Sequence, residues 1–189
     1  MWKSRRTRFS LLVPLIVLVE MPSDAKAASK PITPQRVPRV APSQALGTVG
    51  SWTAYTYKEK SGRVCFVAGE PQKRDPAAPK RKPSLAMVTH RPQEKVANVV
   101  SFVEGYPLRE GSEASVDIGG AKFDLFTKGD STWARTAELD KAIVEAMAKG
   151  KQAVVKAVLK KGQPTTDTYA LGGFAQALAL IDKACDIKR

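Results

Sequence analysis

Ala114-Ser115-Val116-Asp117-Ile118-Gly119-Gly120-Ala121-Lys122-Phe123-Asp124-Leu125 reads as two strands joined by a two-residue turn. Adjacent glycines accept the positive φ angles of the primed turns that match hairpin twist. The turn sets Ile118 opposite Ala121, Val116 opposite Phe123 and Ala114 opposite Leu125, all on one face. Asp117 then meets Lys122 on the other face. One register that separates an apolar from a polar face marks a strand pair laid over a core.

The same pattern extends in both directions. Upstream, Trp52, Tyr55 and Tyr57 lie in a strand rich in Thr and aromatics, and residues 63–68, 85–89 and 96–103 make further strands. The last of these carries apolar residues on both faces (Val96, Val100, Phe102; Ala97, Val99, Val103), the expectation for a strand covered on both sides. Downstream, Thr136 caps a helix whose stripe is Leu139, Ile143, Ala146 and Met147, closed by Gly150. Ala153, Val155, Ala157 and Leu159 alternate as a strand, 162–164 turn the chain, and 167–171 returns. A second helix follows Gly172-Gly173 with Phe174, Ala177, Leu178 and Ile181 inward. Cys185 falls on the same stripe, four residues beyond Ile181. About eight strands and two short helices predict a mainly β, antiparallel, sandwich-like domain.

The N-terminus has the plan of an export signal. Lys3, Arg5, Arg6 and Arg8 precede an apolar stretch over 9–19, and Ala25-Lys26-Ala27 offers small residues to a signal peptidase. The stretch is too short to span a bilayer, and Pro14 interrupts it. Cleavage after Ala27 is therefore expected, with no transmembrane segment in the mature chain and a periplasmic or cell-surface location. Thiols sent to an oxidising compartment pair, and only Cys65 and Cys185 are present, so they are expected to form the one disulfide of the domain. Residues 28–46, with Pro31, Pro34, Pro38 and Pro42, read as a linker. Residues 47–189 form the domain.

The chain carries 31 Lys and Arg against 18 Asp and Glu, a formal charge of +13. Such a charge steers toward anionic surfaces. For an exported chain these are lipid headgroups rather than nucleic acid, and the basic clusters lack the interleaved aromatics of a base-stacking platform. The densest cluster is Lys73, Arg74, Lys80, Arg81 and Lys82, in a proline-punctuated segment, 70–83, that reads as a solvent loop. These five are the candidate anion-binding residues. Trp52, Tyr106 and Trp133 are candidates for a carbohydrate or peptide groove, although aromatics more often pack in the core.

The order of features resembles the invasion-associated locus B family of small exported alphaproteobacterial proteins. It is carried by Arg63-Val64-Cys65-Phe66, Met87-Val88-Thr89-His90-Arg91-Pro92, Gly105-Tyr106-Pro107, Gly129-Asp130-Ser131-Thr132-Trp133-Ala134, and Asp167-Thr168-Tyr169-Ala170-Leu171-Gly172-Gly173-Phe174 followed by Ala177, Ile181 and Cys185. It covers 47–185; Gly172 stands where the family pattern has a Ser. The resemblance implies a protein of the periplasm or cell surface, connected in some relatives with entry into host cells. It brings no catalytic residues.

Chemistry read from the residues agrees. Gly129-Asp130-Ser131 matches a short esterase nucleophile block, but the single histidine, His90, lies upstream and no Asp-x-x-His occurs, so a β-turn is the better reading. His90 itself reads as a surface or strand-edge residue. One histidine and two paired cysteines do not make a zinc site, and no phosphate loop or dinucleotide fingerprint is present. The expectation is a non-enzymatic protein without cofactor that binds an envelope or host protein or glycan. The alternative is an accessory protein held on an anionic lipid surface.

Overall fold

The computed structural model describes residues 43–76 and 81–189. The segment read as a signal, 1–27, and most of the linker lie outside them. Eleven strands form one antiparallel sheet: β1 (Gln44–Val49), β2 (Trp52–Glu59), β3 (Gly62–Gly69), β4 (Lys73–Asp75), β5 (Leu85–Arg91), β6 (Val96–Val103), β7 (Ala114–Ile118), β8 (Ala121–Lys128), β9 (Ser131–Trp133), β10 (Gln152–Val158) and β11 (Pro164–Ala170). Among the described residues the α-helices are α1 (Ala137–Lys149) and α2 (Phe174–Cys185). The strand order is β1-β2-β3-β5-β6-β9-β8-β7-β10-β11-β4.

The sandwich has two layers because the sheet folds at β8. Residues Ala121 to Leu125 pair with β7, while Phe126, Thr127 and Lys128 pair with β9. The first layer is β1, β2, β3, β5, β6 and β9; the second is β7, β10, β11 and β4. Their inner faces meet where the Phe102 and Tyr169 rings lie 5.9 Å apart and where Trp52 Nε1 donates to the Ala170 carbonyl at 2.8 Å. The β7–β8 hairpin has the register the sequence dictates, with Gly119 and Gly120 at φ 62° and 89°. Thr136 caps α1 by accepting from the Leu139 amide at 3.2 Å.

Helix α2 lies against β1, β2, β3 and β5. Its buried stripe is the expected one: Phe174, Ala177, Leu178, Ile181 and Cys185. The last of these is bonded to Cys65, with the Cα atoms 6.1 Å apart and 120 positions between them in sequence.

Four features depart from the sequence reading. Strand β1 begins at Gln44, so residues 44–46 of the segment read as linker belong to it, with Gln44 and Ala45 paired to β2 and Leu46 at an irregularity in the ladder. The segment 70–83 is not wholly a solvent loop: Lys73–Asp75 is an edge strand on β11, with Asp75 opposite Thr166. Three ladder pairs and the Gln72 amide bond to the Thr168 carbonyl outweigh its charges and prolines. Strand β6 buries Val100 and Phe102 on its inner face; on the outer face the small Ser101 is buried between its neighbours, while Val99 and Val103 are half-exposed. Finally, His90 is fully buried, because β5 is central and α2 covers its inner face.

Closing a loop of this length by a cross-link restricts the unfolded chain strongly, and loss of a native disulfide costs about 2–5 kcal/mol. Cys65→Ser is expected to lower the unfolding free energy by that amount. Denaturant titration of the oxidised parent, the variant and the reduced parent measures it; the last two should coincide.

Candidate functional site

The outer face of the first layer follows from register. In strands with a period of two, directly paired residues share a face. One row across the sheet is Tyr55, Phe66, Thr89 and Val99; the next is Thr53, Ala68, Met87, Ser101, Trp133 and Phe126. Tyr55 stacks on Phe66 with ring centres 4.9 Å apart, and Tyr57 meets the same ring edge-on at 5.9 Å. Tyr55, Tyr57, Phe66, Met87, Phe126 and Trp133 are all half-exposed, so this apolar face is not part of the core. A groove of about 430 Å³ runs over it, lined by Tyr57, Phe66, Met87, Thr89, Arg91 and Trp133 among others. Phe66 and Trp133 are three strand spacings apart, about 14 Å, with the hydroxyls of Thr89 and Ser101 between them.

A fixed polar rim borders one end. The Tyr57 hydroxyl donates to Glu59 Oε1 at 2.8 Å, and Arg91 Nη1 donates to Glu59 Oε2 at 2.5 Å. Burial and the bond to Glu59 push the Tyr57 phenol up, and the bonds from Arg91 and Tyr57 hold the Glu59 carboxyl down. The rim therefore presents an ionised carboxylate and a guanidinium, each about one-third exposed. Clefts of about 590 and 650 Å³ lie beside the disulfide and over the second layer. Both have charged linings, with Lys58, Arg63 and Asp186 in one and Lys122, Asp124 and Lys156 in the other. Neither offers an aromatic floor.

The structure separates the aromatic residues that the sequence grouped. Trp52 is in the core, Tyr106 lies beneath the Arg81 guanidinium at 4.5 Å, and only Trp133 reaches the groove. Tyr57 and Phe66 were legible as strand aromatics, but their exposure was not. Ser131 is almost buried and its hydroxyl donates to Asp130 Oδ1 at 3.0 Å. His90 has no nitrogen left for that serine. Its Nδ1 accepts from the Asn98 amide at 3.0 Å, which leaves Nε2–H to donate to Asp182 Oδ1 at 3.0 Å. Burial alone would raise Asp182, but the bonds from His90 and Arg189 outweigh it and hold the carboxylate low.

The five candidate anion-binding residues do not form one free cluster. Lys80 lies outside the described residues. Lys73 and Arg74 are in β4, and Arg74 leans toward Glu70 at 3.9 Å. Lys82 is exposed. Arg81 is the correction: its side chain is 1% exposed and is shared by two fully buried carboxylates. Nη2 bonds Glu104 Oε2 at 3.1 Å, Nη1 bonds Asp167 Oδ1 at 2.7 Å, and Nε bonds the Glu104 carbonyl at 2.6 Å. A guanidinium that is buried and bonded to both carboxylates is not presented to an outside anion.

A model of the family described as invasion associated locus B (IalB) protein matches residues 52–182. Among solved structures, the crystal structure of invasion associated protein B from Bartonella henselae is similar, with a TM-score of 0.55 and 17% identity over 76% of this chain and 98% of that one. At that identity the likeness is one of fold. A search of curated proteins found no match. The matched span opens at Trp52 and ends at Asp182, the carboxylate that holds His90.

Two outcomes follow from the buried ions. Arg81→Gln leaves Asp167 and Glu104 without their cation, and breaking a buried pair costs about 3–5 kcal/mol; Lys82→Gln should change little, and denaturant titration compares the two. The second outcome concerns Glu104. Burial, then the neighbouring Asp167, pushes its carboxyl from 4.5 up to about 8 against the pull of Arg81. The folded chain therefore holds a proton that the unfolded chain releases. This contribution to stability is complete below 4.5 and is lost as pH rises through about 8. Asp140, raised to about 6 by burial although it accepts from the Val100 amide, acts in the same sense at lower pH. Between pH 6 and 8 the melting temperature should fall with pH in the parent, and Glu104→Gln should flatten that slope.

Proposed function

Because the chain belongs to the invasion associated locus B family, a family of exported proteins, we propose that it acts in the cell envelope by binding rather than catalysis. The half-exposed aromatic face around Tyr57, Phe66, Met87 and Trp133 receives its ligand, an envelope or host component. Among the described residues no helix is long and apolar enough to cross a membrane.

The observation that carries this reading is the aromatic face itself. Large apolar side chains left together outside a core mark interaction sites more often than chance. Here they flank hydroxyl groups, and a rim of Tyr57, Glu59 and Arg91 is already oriented by its own hydrogen bonds. Flat rings with a few fixed polar groups suit a sugar ring or a short extended peptide. The absence of a catalytic step is supported by the engagement of both nitrogens of His90 and by the bond from Ser131 to Asp130.

The test is affinity capture from envelope extract with the exported chain and with the double variant Tyr57→Ser, Trp133→Ser. The variant should remain folded by circular dichroism and retain at least tenfold less of whatever the parent captures. Capture by the parent should persist at high ionic strength, since contact through uncharged rings is not screened. Equal capture by parent and variant would place the binding surface elsewhere.

A further inference from the structure

The fold gathers a basic rim that no stretch of sequence contains. Three chain segments hydrogen-bond to the loop 105–109. The Lys82 amide donates to the Gly105 carbonyl at 3.2 Å, the Lys160 amide to Pro107 at 3.0 Å, and the Leu108 amide to Gly129 at 2.8 Å. The Arg109 amide also donates to Val158 at 2.9 Å, and Thr127 Oγ1 donates to the Arg109 carbonyl at 2.9 Å. Gly105 makes the closest approach possible: at φ 75°, a Cβ there would lie 2.2 Å from the Lys82 carbonyl oxygen. Each segment brings cations, and Lys82, Arg109, Lys128, Lys160 and Lys161 are all exposed. Among the described residues none of the five is in an ion pair, in contrast to Arg74, Arg81, Arg91 and Arg189. The carboxylates next to them in sequence are Glu110 and Asp130, and Asp130 already accepts from Ser131.

We propose that this rim is a docking surface for an anionic lipid membrane. It is separate from the aromatic face and does not rest on it. Pro107 is exposed in the loop that these segments bond to, and exposed Pro83 and Pro164 lie beside Lys82 and shortly after Lys161, so apolar residues are interspersed with the cations. They line neither the Trp133 groove nor the cleft over the second layer. A single soluble anion is held best by donors that converge in a concave site. Long side chains spread around apolar tips instead match a plane of headgroups, with their stems lying along the surface.

The experiment is co-sedimentation of the exported chain with vesicles at low and high salt. One set contains phosphatidylglycerol in phosphatidylcholine; the other is phosphatidylcholine alone. The rim variant is Lys82→Gln, Arg109→Gln, Lys128→Gln, Lys160→Gln, Lys161→Gln. A control of equal net charge is Lys141→Gln, Lys149→Gln, Lys151→Gln, Lys183→Gln, Lys188→Gln, all exposed in or next to the helices. The parent and the control should bind the anionic vesicles at low salt and release at high salt, and the rim variant should bind at least tenfold less. That is a conservative reading of about fivefold per cation near an anionic surface. The single reversals Lys82→Glu and Lys160→Glu give the same readout if the quintuple variant does not fold. Equal loss in rim variant and control would reduce the effect to net charge and overturn the proposal. So would binding of the parent to neutral vesicles, no binding of the parent to either, or binding to immobilised polyphosphate without binding to vesicles.

Discussion

Arg81 is buried between two carboxylates that come from different halves of the molecule. Glu104 follows β6 in the first layer and Asp167 lies in β11 of the second. A guanidinium with five donors in a planar fork reaches both from a single position, with Glu104 Oε1 left unpartnered. Removing three ions from water is costly, and the arrangement is tolerated because the charges nearly cancel. Burial pushes the Glu104 carboxyl up to about 8, and its protonation below that pH leaves one cation facing one carboxylate. The Tyr106 ring beneath the guanidinium and the Phe102–Tyr169 contact close the site from the apolar side. The two layers thus meet through a polar tie as well as through rings, and the tie fixes where the 81–84 segment re-enters β5.

The other end of the first layer is held differently. Lys95 in the β5–β6 connection and Asn98 within β6 have φ 56° and 63°, and the ladder is irregular between Thr89 and Arg91. The Asn98 amide that the bulge frees from the ladder is taken up by His90 Nδ1, whose other nitrogen reaches Asp182 on α2. Cys65 is the register partner of His90 on β3. One buried row therefore ties sheet to helix twice, by a disulfide and by a histidine. This accounts for a histidine in the core of a chain that has no other.

With both ends of the first layer committed inward, the surfaces left over differ in kind. The outer face of that layer is aromatic and half-exposed, while the loop ends around 105–109 are cationic. The first suits contact that salt does not disturb, the second contact that salt abolishes. The two proposed contacts, with a ligand and with a membrane, use different residues and do not compete.

The sequence by itself determined the local structure and the staple. The Gly119-Gly120 turn, the Thr136 cap, the stripe of α2 and the Cys65–Cys185 pair are written in spacing and composition, because each depends on residues a few positions apart or on a count of two. Tertiary structure decided what each charged or aromatic side chain faces. Arg81 and Lys82 are neighbours in a basic run, yet one is buried and the other is in water, since only Arg81 meets Glu104 and Asp167, which lie 23 and 86 positions away. Trp52 and Trp133 read alike as strand aromatics, and the side of the sheet each faces was set by which face the second layer and the helices cover. The cations of the 105–109 rim are scattered from 82 to 161, and β4 is a strand only because β11 is there to pair with it. Burial and long-range pairing are properties of the assembled chain, and a reading by local periodicity has no access to them.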